Sequence, residues 1–184
     1  LAREPGSTVI HNLITSKAVP EIIRENGGEP VRTRVGHSFI KAKMAETNAV
    51  FGGEHSAHYY FRDFWRADSG MLAAMHVLAA LGQQDKPLSE MMAKYNRYAA
   101  SGEINSRLDS AEAQADRTEA VVKAFADRAE NVDRLDGVTV ELKDGNWFNV
   151  RASNTEPLLR LNVEADTQEA VDALVKEILA IIRA

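Results

Sequence analysis

The segment Arg151-Ala152-Ser153-Asn154-Thr155-Glu156-Pro157 places a guanidinium, two hydroxyls and a carboxamide within five residues. All of these groups donate hydrogen bonds, and a phosphate dianion needs donors on several oxygens at once. The planar fork of Arg151 matches two phosphate oxygens. Ser153, Asn154 and Thr155 add neutral donors, and successive backbone N–H groups in a tight turn add an anion-binding concavity. The same composition also suits a polar hairpin turn whose side chains only cap their own backbone. Spacing alone leaves both readings open.

A second set of reactive side chains follows three strand-like runs. Asn12, Ser16 and Lys17 come after the first, Gly36 and His37 after the second, and Gly53-Glu54-His55-Ser56-Ala57-His58 after the third. In a parallel sheet such loops open on one edge, outside the carboxyl ends of the strands, where ligands bind. Glu54 can accept from two vicinal sugar hydroxyls, with Ser56 donating or accepting beside it. In an extended segment Glu54, Ser56 and His58 project to one face, and the His58 imidazole is a candidate proton carrier. A surface loop with incidental polar residues is the competing reading, and Lys17 and His37 taken singly also suit solvated or capping roles. His55-x-x-His58 beside Glu54 has ligand-like spacing for zinc, but no third ligand group and no helical i,i+4 histidine pair accompanies it. Ser56 lacks the Gly-x-Ser-x-Gly elbow of a nucleophilic serine. His11 and His76 read as structural, and Tyr59, Tyr60, Phe61, Phe64 and Trp65 as an aromatic anchor for the loop.

The elements that must position these groups change character midway along the chain. Strand and helix signals alternate through the first half: a strand at Thr8–Leu13, a helix from Val19 stopped at Gly27-Gly28, a strand at Pro30–Val35, a helix at His37–Thr47 and a strand at Ala49–Phe51. Short connections between alternating elements imply parallel pairing and right-handed crossovers. A long loop spans Gly52–Asp68. The helix Gly70–Leu81 is apolar almost all round, which predicts burial, and a further helix runs from Leu88 to Tyr98. Ser101-Gly102 reads as a hinge. Beyond it come a strand at Glu103–Leu108 and an amphipathic helix at Ala111–Ala129. A hairpin of Val138–Leu142 with Trp147–Val150 turns at Asp144-Gly145, and another strand follows at Leu158–Val163. Asp166 and Glu169 form a capping box for a last helix with the stripe Val171, Leu174, Ile178 and Ile181. The expected architecture is an α/β domain over residues 1–100, a three-layer α/β/α unit with a mainly parallel sheet. A small α+β domain with an antiparallel sheet and helices on one face follows over 101–184.

The bulk numbers narrow the function. Hydrophobic residues make up 45% and charged residues 27% of the 184 positions, the balance of a globular protein. A net charge of −5 argues against a nucleic-acid partner, which favours a basic face. The absence of cysteine removes disulfide and thiolate chemistry. The apolar run Met71–Leu81 is too short to span a bilayer. The first residues lack the apolar core of a signal peptide, and the chain is expected to begin partway through a longer protein.

With Gly52-Gly53-Glu54-His55-Ser56-Ala57-His58 and Arg151-Ala152-Ser153-Asn154-Thr155-Glu156-Pro157 both in view, the chain resembles the α-D-phosphohexomutases, in particular their phosphomannomutase/phosphoglucomutase branch. The resemblance covers essentially the whole chain and corresponds to the third and fourth domains of a four-domain enzyme. It implies that Glu54 and Ser56 hold the sugar hydroxyls and that Arg151, Ser153, Asn154 and Thr155 hold the phosphate that is not reacting. Lys17, His37 and His58 then line the cleft, with His58 as a catalytic proton carrier. It further implies a cytoplasmic enzyme interconverting hexose 6-phosphate and hexose 1-phosphate through a phosphoserine, magnesium and a hexose bisphosphate intermediate. Its partners are the hexose phosphate and the N-terminal domains of the same protein, with no nucleic acid and no membrane. The phosphoserine segment Thr-Ala-Ser-His-Asn-Pro and the magnesium loop Asp-Gly-Asp-Gly-Asp-Arg do not occur in this sequence, so the chain taken alone is expected to be inactive, with no metal site of its own. Ala57 stands where the family usually has Gly, and Asp68-Ser69-Gly70 where it has Asp-Asp-Gly. A stand-alone sugar-phosphate-binding module and a phosphoglucosamine mutase are the alternative readings.

Overall fold

Three short runs in the first part of the chain become parallel strands because each of the first two leads into a helix that carries the chain back across the sheet. β1 (Thr8–Asn12) leads into α1 (Ala18–Glu25), β2 (Glu29–Thr33) into α2 (His37–Thr47), and β3 (Phe51–Gly53) completes the set. The order β2-β1-β3 with parallel pairing sends the two crossovers in opposite directions. Right-handed connections therefore put α1 and α2 on opposite faces of the sheet. The computed structural model describes residues 1–153 and 156–184, in two compact units, Leu1–Arg97 and Tyr98–Ala184.

Gly52 has a packing reason for lacking a side chain: a Cβ there would come within 2.9 Å of Ile40 and 3.2 Å of Met44. α2 thus beds closely on the sheet, and Ile10, Ile40, Met44, Ala49 and Tyr60 form the core on that face. The stretch expected as one long loop holds two further strands. β4 (Tyr59–Phe61) and β5 (Ala67–Asp68) pair antiparallel and extend the sheet to β2-β1-β3-β4-β5. At three and two residues they are too short to show a period in the sequence.

α3 (Gly70–Leu81) is not buried as its composition predicts. None of its residues is buried, and Met71 is 77% and Leu78 64% exposed. Its His76 ring stacks on Phe61 of the sheet at 5.5 Å between centroids, beside an apolar groove of about 800 Å³ lined by residues that include Phe51, Tyr59, Phe61 and Val77. α4 (Leu88–Ala93) ends well short of Tyr98. After it, Arg97 donates to Glu25 at 2.7 and 2.5 Å and to Glu21 at 3.2 Å, tying the end of the unit to α1.

The second unit contains β6 (Ala99–Arg107), α5 (Ala111–Phe125), β7 (Ala129–Asp133), β8 (Val138–Leu142), β9 (Trp147–Ala152), β10 (Leu158–Ala165) and α6 (Gln168–Ile182). Its sheet is antiparallel throughout, in the order β6-β10-β9-β8-β7. Ser101-Gly102, expected as a hinge, lies inside β6. Ser101 Oγ accepts from the Val163 N–H at 2.9 Å, and Gly102, at φ +66, sits opposite a register shift between Asn162 and Glu164. That is a β-bulge, which bends a strand without releasing it. Thr167 rather than Asp166 caps α6, its Oγ accepting from the Ala170 N–H at 3.2 Å. Val171, Leu174 and Ile178 are buried as the stripe predicts, but its last member is Ile182, one turn beyond Ile178, and not Ile181.

The core of this unit is one-sided. Leu159, Leu161 and Val163 of β10 and Phe148 and Val150 of β9 pack against Phe125 of α5 and Leu174 and Ile178 of α6. Strand alternation sends the intervening residues to the opposite face. Arg160 on β10 and Asn149 and Arg151 on β9 therefore share a polar face away from the helices, with Glu103 of β6.

Candidate functional site

Because β1, β2 and β3 are parallel, the residues after their carboxyl ends share one edge. Glu54, directly after β3, is 7% exposed. Tyr60 Oη donates to its Oε1 at 2.6 Å, and the Gly36 N–H at the start of α2 donates to its Oε2 at 3.1 Å, with a longer contact of 3.5 Å from Asn12 Nδ2. One carboxylate thus joins the ends of all three parallel strands, beside the positive end of α2. Burial is the first cause, and donation to Glu54 the next, that raises the Tyr60 phenol well above its usual range, so Tyr60 remains a donor. A carboxylate offers about four acceptor positions, and two strong donors leave room for a hydroxyl from outside.

The segment after Glu54 is a turn, not the extended stretch considered from the sequence. The Glu54 N–H donates to the His58 carbonyl at 3.0 Å and the Ala57 N–H to the Glu54 carbonyl at 3.1 Å. Glu54, Ser56 and His58 therefore do not line up on one face. Ser56 and His55 are exposed at the tip, and Ala57 sits in the left-handed region at φ +64. Lys17 is half-buried at the N-cap position of α1, on the same edge of the sheet.

His37 and His58 do come together. With Lys41, Tyr60, Ala67 and Asp68 they line a pocket of about 310 Å³ between the start of α2 and the β4–β5 end of the sheet. Lys17 and Ser56 are not among its lining residues. His58 Nδ1 lies 2.7 Å from Asp68 Oδ2. Lys41 is an addition from helix geometry, standing one turn after His37. Asp68 carries no such signal in the sequence beyond its motif, because its approach to His58 depends on the pairing of β4 with β5.

In the second unit Arg151 is 7% exposed and lies directly across the ladder from Arg160. Their nearest carboxylate is Glu103, whose oxygens stand 3.8 Å from Arg151 Nη2 and 3.4 Å from Arg160 Nη1. Arg160 Nη2 also donates to Ser153 Oγ at 3.3 Å and stands 3.8 Å from Glu156. The Nε atoms of both arginines are buried with no hydrogen-bond partner among the described residues. Asn154 and Thr155, expected as further donors, lie outside those residues. Arg160 is an addition that strand parity could have supplied, since it alternates with the core residues Leu159 and Leu161. Two adjacent guanidinium groups with buried donors to spare have the chemistry to meet a multiply charged oxyanion.

Among the described residues no group of three or more His, Cys, Asp or Glu could hold a metal ion, and no helix is long and apolar enough to cross a membrane.

Comparison with known proteins covers both units. Residues 1–98 match the family model described as "Phosphoglucomutase/phosphomannomutase, alpha/beta/alpha domain III", and residues 103–181 match the model for the same family's C-terminal domain. The chain is 42% identical over 166 residues to a Xanthomonas campestris protein named phosphohexose mutases, an alignment of 89% of this chain and 36% of that protein. It is 40% identical over 182 residues to a phosphomannomutase of Methanocaldococcus jannaschii, covering 99% of this chain and 39% of the relative. Among solved structures, a phosphoglucomutase/phosphomannomutase family protein of Burkholderia thailandensis superposes with a TM-score of 0.81 at 29% identity, covering all of this chain and 39% of that one. The chain thus spans well under half the length of these relatives.

Proposed function

Because the chain belongs to the phosphoglucomutase/phosphomannomutase family, we propose that it supplies substrate recognition to a phosphohexomutase interconverting hexose 6-phosphate and hexose 1-phosphate. The observation that carries this reading is the Arg151–Arg160 pair with its buried, unpartnered Nε donors. Arg151 is the main phosphate anchor, because charge-assisted bidentate bonds are the strong ones in a polar loop. Ser153, Asn154 and Thr155 contribute neutral donors, and Arg160 a second guanidinium. Residues 101–184 form the phosphate-binding domain in this reading.

Residues 1–100 form the sugar-binding domain. Glu54 accepts from a sugar hydroxyl at an oxygen already oriented by Tyr60 and Gly36, and Ser56 meets the sugar from the exposed turn. Lys17 and His37 bind along the same edge, and His58 moves a proton to or from the reacting hydroxyl. The phosphoserine and the hexose bisphosphate intermediate belong to the whole enzyme, which we place in the cytoplasm. Magnesium, which the family implies, has no ligand set among the described residues, and no step of this reading runs through it.

Turnover of the whole-length protein on mannose, glucose and glucosamine 1-phosphates tests the proposal. Activity on mannose or glucose above glucosamine is expected. Preference for glucosamine 1-phosphate would move the chain to the phosphoglucosamine mutases. Binding of hexose phosphates without turnover would favour a sugar-phosphate-binding module.

A further inference from the structure

His58 and Asp68 are held face to face by backbone on both sides. The His58 carbonyl accepts from the Glu54 N–H at 3.0 Å, and His58 leads directly into β4. Asp68 ends β5 opposite Tyr60. Its successor Ser69 donates through its N–H to the Tyr59 carbonyl at 2.9 Å and caps α3 through Oγ. Residues 58 and 60 share one face of their strand, and the Tyr60↔Asp68 register brings the Asp68 carboxylate to that face. Nδ1 and Oδ2 then lie 2.7 Å apart. The other polar groups around them are His37 and Lys41 of α2 and the Tyr60 hydroxyl.

We propose that Asp68 is the positioning residue of His58: it fixes the neutral ring as the Nδ1–H tautomer, leaving Nε2 as the nitrogen that accepts a proton. A carboxylate accepts only, so the proton between the two groups belongs to Nδ1. In a neutral imidazole the other nitrogen then carries the lone pair. When Nε2 takes a proton from a substrate hydroxyl, the ring becomes an imidazolium with both nitrogens protonated. The Asp68 carboxylate offsets the new charge and takes no proton itself. In the reverse direction the same Nε2–H returns the proton. The catalytic consequence rests on the mutase reading; the tautomer does not. Both side chains are about half exposed, at 52% and 47%, and such pairs contribute little stability.

The test reads the ring directly. Long-range ¹⁵N–¹H correlation spectra of this chain are expected to show neutral His58 protonated on Nδ1. Asp68→Ala should lose that signature in favour of Nε2–H, and Asp68→Glu should restore it. The Ser69 amide signal, whose N–H donates to the Tyr59 carbonyl, reports whether the β4–β5 pairing survives each substitution, and the unsubstituted chain decides the point even if a variant fails to fold. Neutral His58 carrying its proton on Nε2 in the unsubstituted chain would overturn the proposal. In the whole-length protein, Asp68→Ala should lower kcat by about ten- to a hundredfold, below the loss expected on removing a proton carrier itself, with a much smaller change in KM. An unchanged kcat would also overturn the proposed role. An inactive whole-length protein with the Nδ1–H signature intact would overturn the mutase reading and leave the positioning of His58 upheld.

Discussion

Glu54 and Arg151 are both buried at 7% exposure, yet their surroundings treat them in opposite ways. The Glu54 carboxylate is engaged by its own fold, with Tyr60 and Gly36 donating to it and Asn12 nearby. Arg151 and Arg160 share Glu103 at salt-bridge distances of 3.4 Å and more, and their Nε donors have no partner among the described residues. A buried polar group without a partner costs free energy. The first site is therefore an acceptor oriented by its own fold, with room for one more hydroxyl, that also holds three strand ends together. The second is a donor set that the described residues leave short of acceptors. Residues of the first should matter to stability, and residues of the second chiefly to binding.

The largest contrast should come from deleting each anchor. Glu54→Ala leaves the Tyr60 hydroxyl and the Gly36 N–H unpaired, and at roughly 1–3 kcal/mol for each orphaned group the first unit should lose about 4 kcal/mol. Arg151→Met removes a buried charge that is weakly paired, and the second unit should change by less than about 1 kcal/mol. Denaturant unfolding of both variants checks the pair, and equal losses would erase the distinction drawn between the sites.

Acid should separate the two units as well, since every histidine of the chain lies in the first. Burial, the largest cause, pushes the His11 imidazole down from 6.5 to about 4, with Arg32 and Arg24 adding to it. Folded His11 stays neutral while the unfolded chain takes up a proton below pH 6.5. Stability is therefore lost as pH falls from 6.5 toward 4, by up to about 3 kcal/mol. Hydrogen exchange across that window should show the loss in the first unit and its reduction in His11→Asn. A loss of the same size in that variant would contradict the assignment.

A smaller effect sits beside Glu54. Ala57 holds a left-handed conformation at φ +64, which costs a residue with a Cβ on the order of 1 kcal/mol. Ala57→Gly should raise the stability of the first unit by about that amount, measurable as a shift in thermal midpoint. Destabilisation would show that the turn is held by its tip residues instead.

The parts legible from the sequence are those written in a period or a turn signal. The α6 stripe names its buried face, and Asp144-Gly145 marks a hairpin turn that Gly145 makes at φ +85. α3 shows the limit of that logic: a helix apolar on every side carries no information about which side is covered, and the described residues cover little of it. β4 and β5 were invisible because strands of three and two residues have no period. With them went the His58–Asp68 pair, which exists only through their register. β7 (Ala129–Asp133) is five residues long, but as a polar edge strand without alternation it carries no strand signal either. Arg160 was within reach, since parity alone places it on the face of Arg151.

The claim that Arg151 anchors a phosphate is most directly tested by titrating the ¹⁵N-labelled chain with glucose 1-phosphate while following the Arg151 and Arg160 Nε–H signals, with Arg151→Lys in parallel. Both signals should shift along one saturable curve. Arg151→Lys should weaken binding by about tenfold or more despite keeping the charge, because an ammonium cannot make the planar fork. Nε–H signals that stay in place, or an affinity unchanged by the substitution, would show that Arg151 is a turn residue and that the second unit does not read phosphate through this pair.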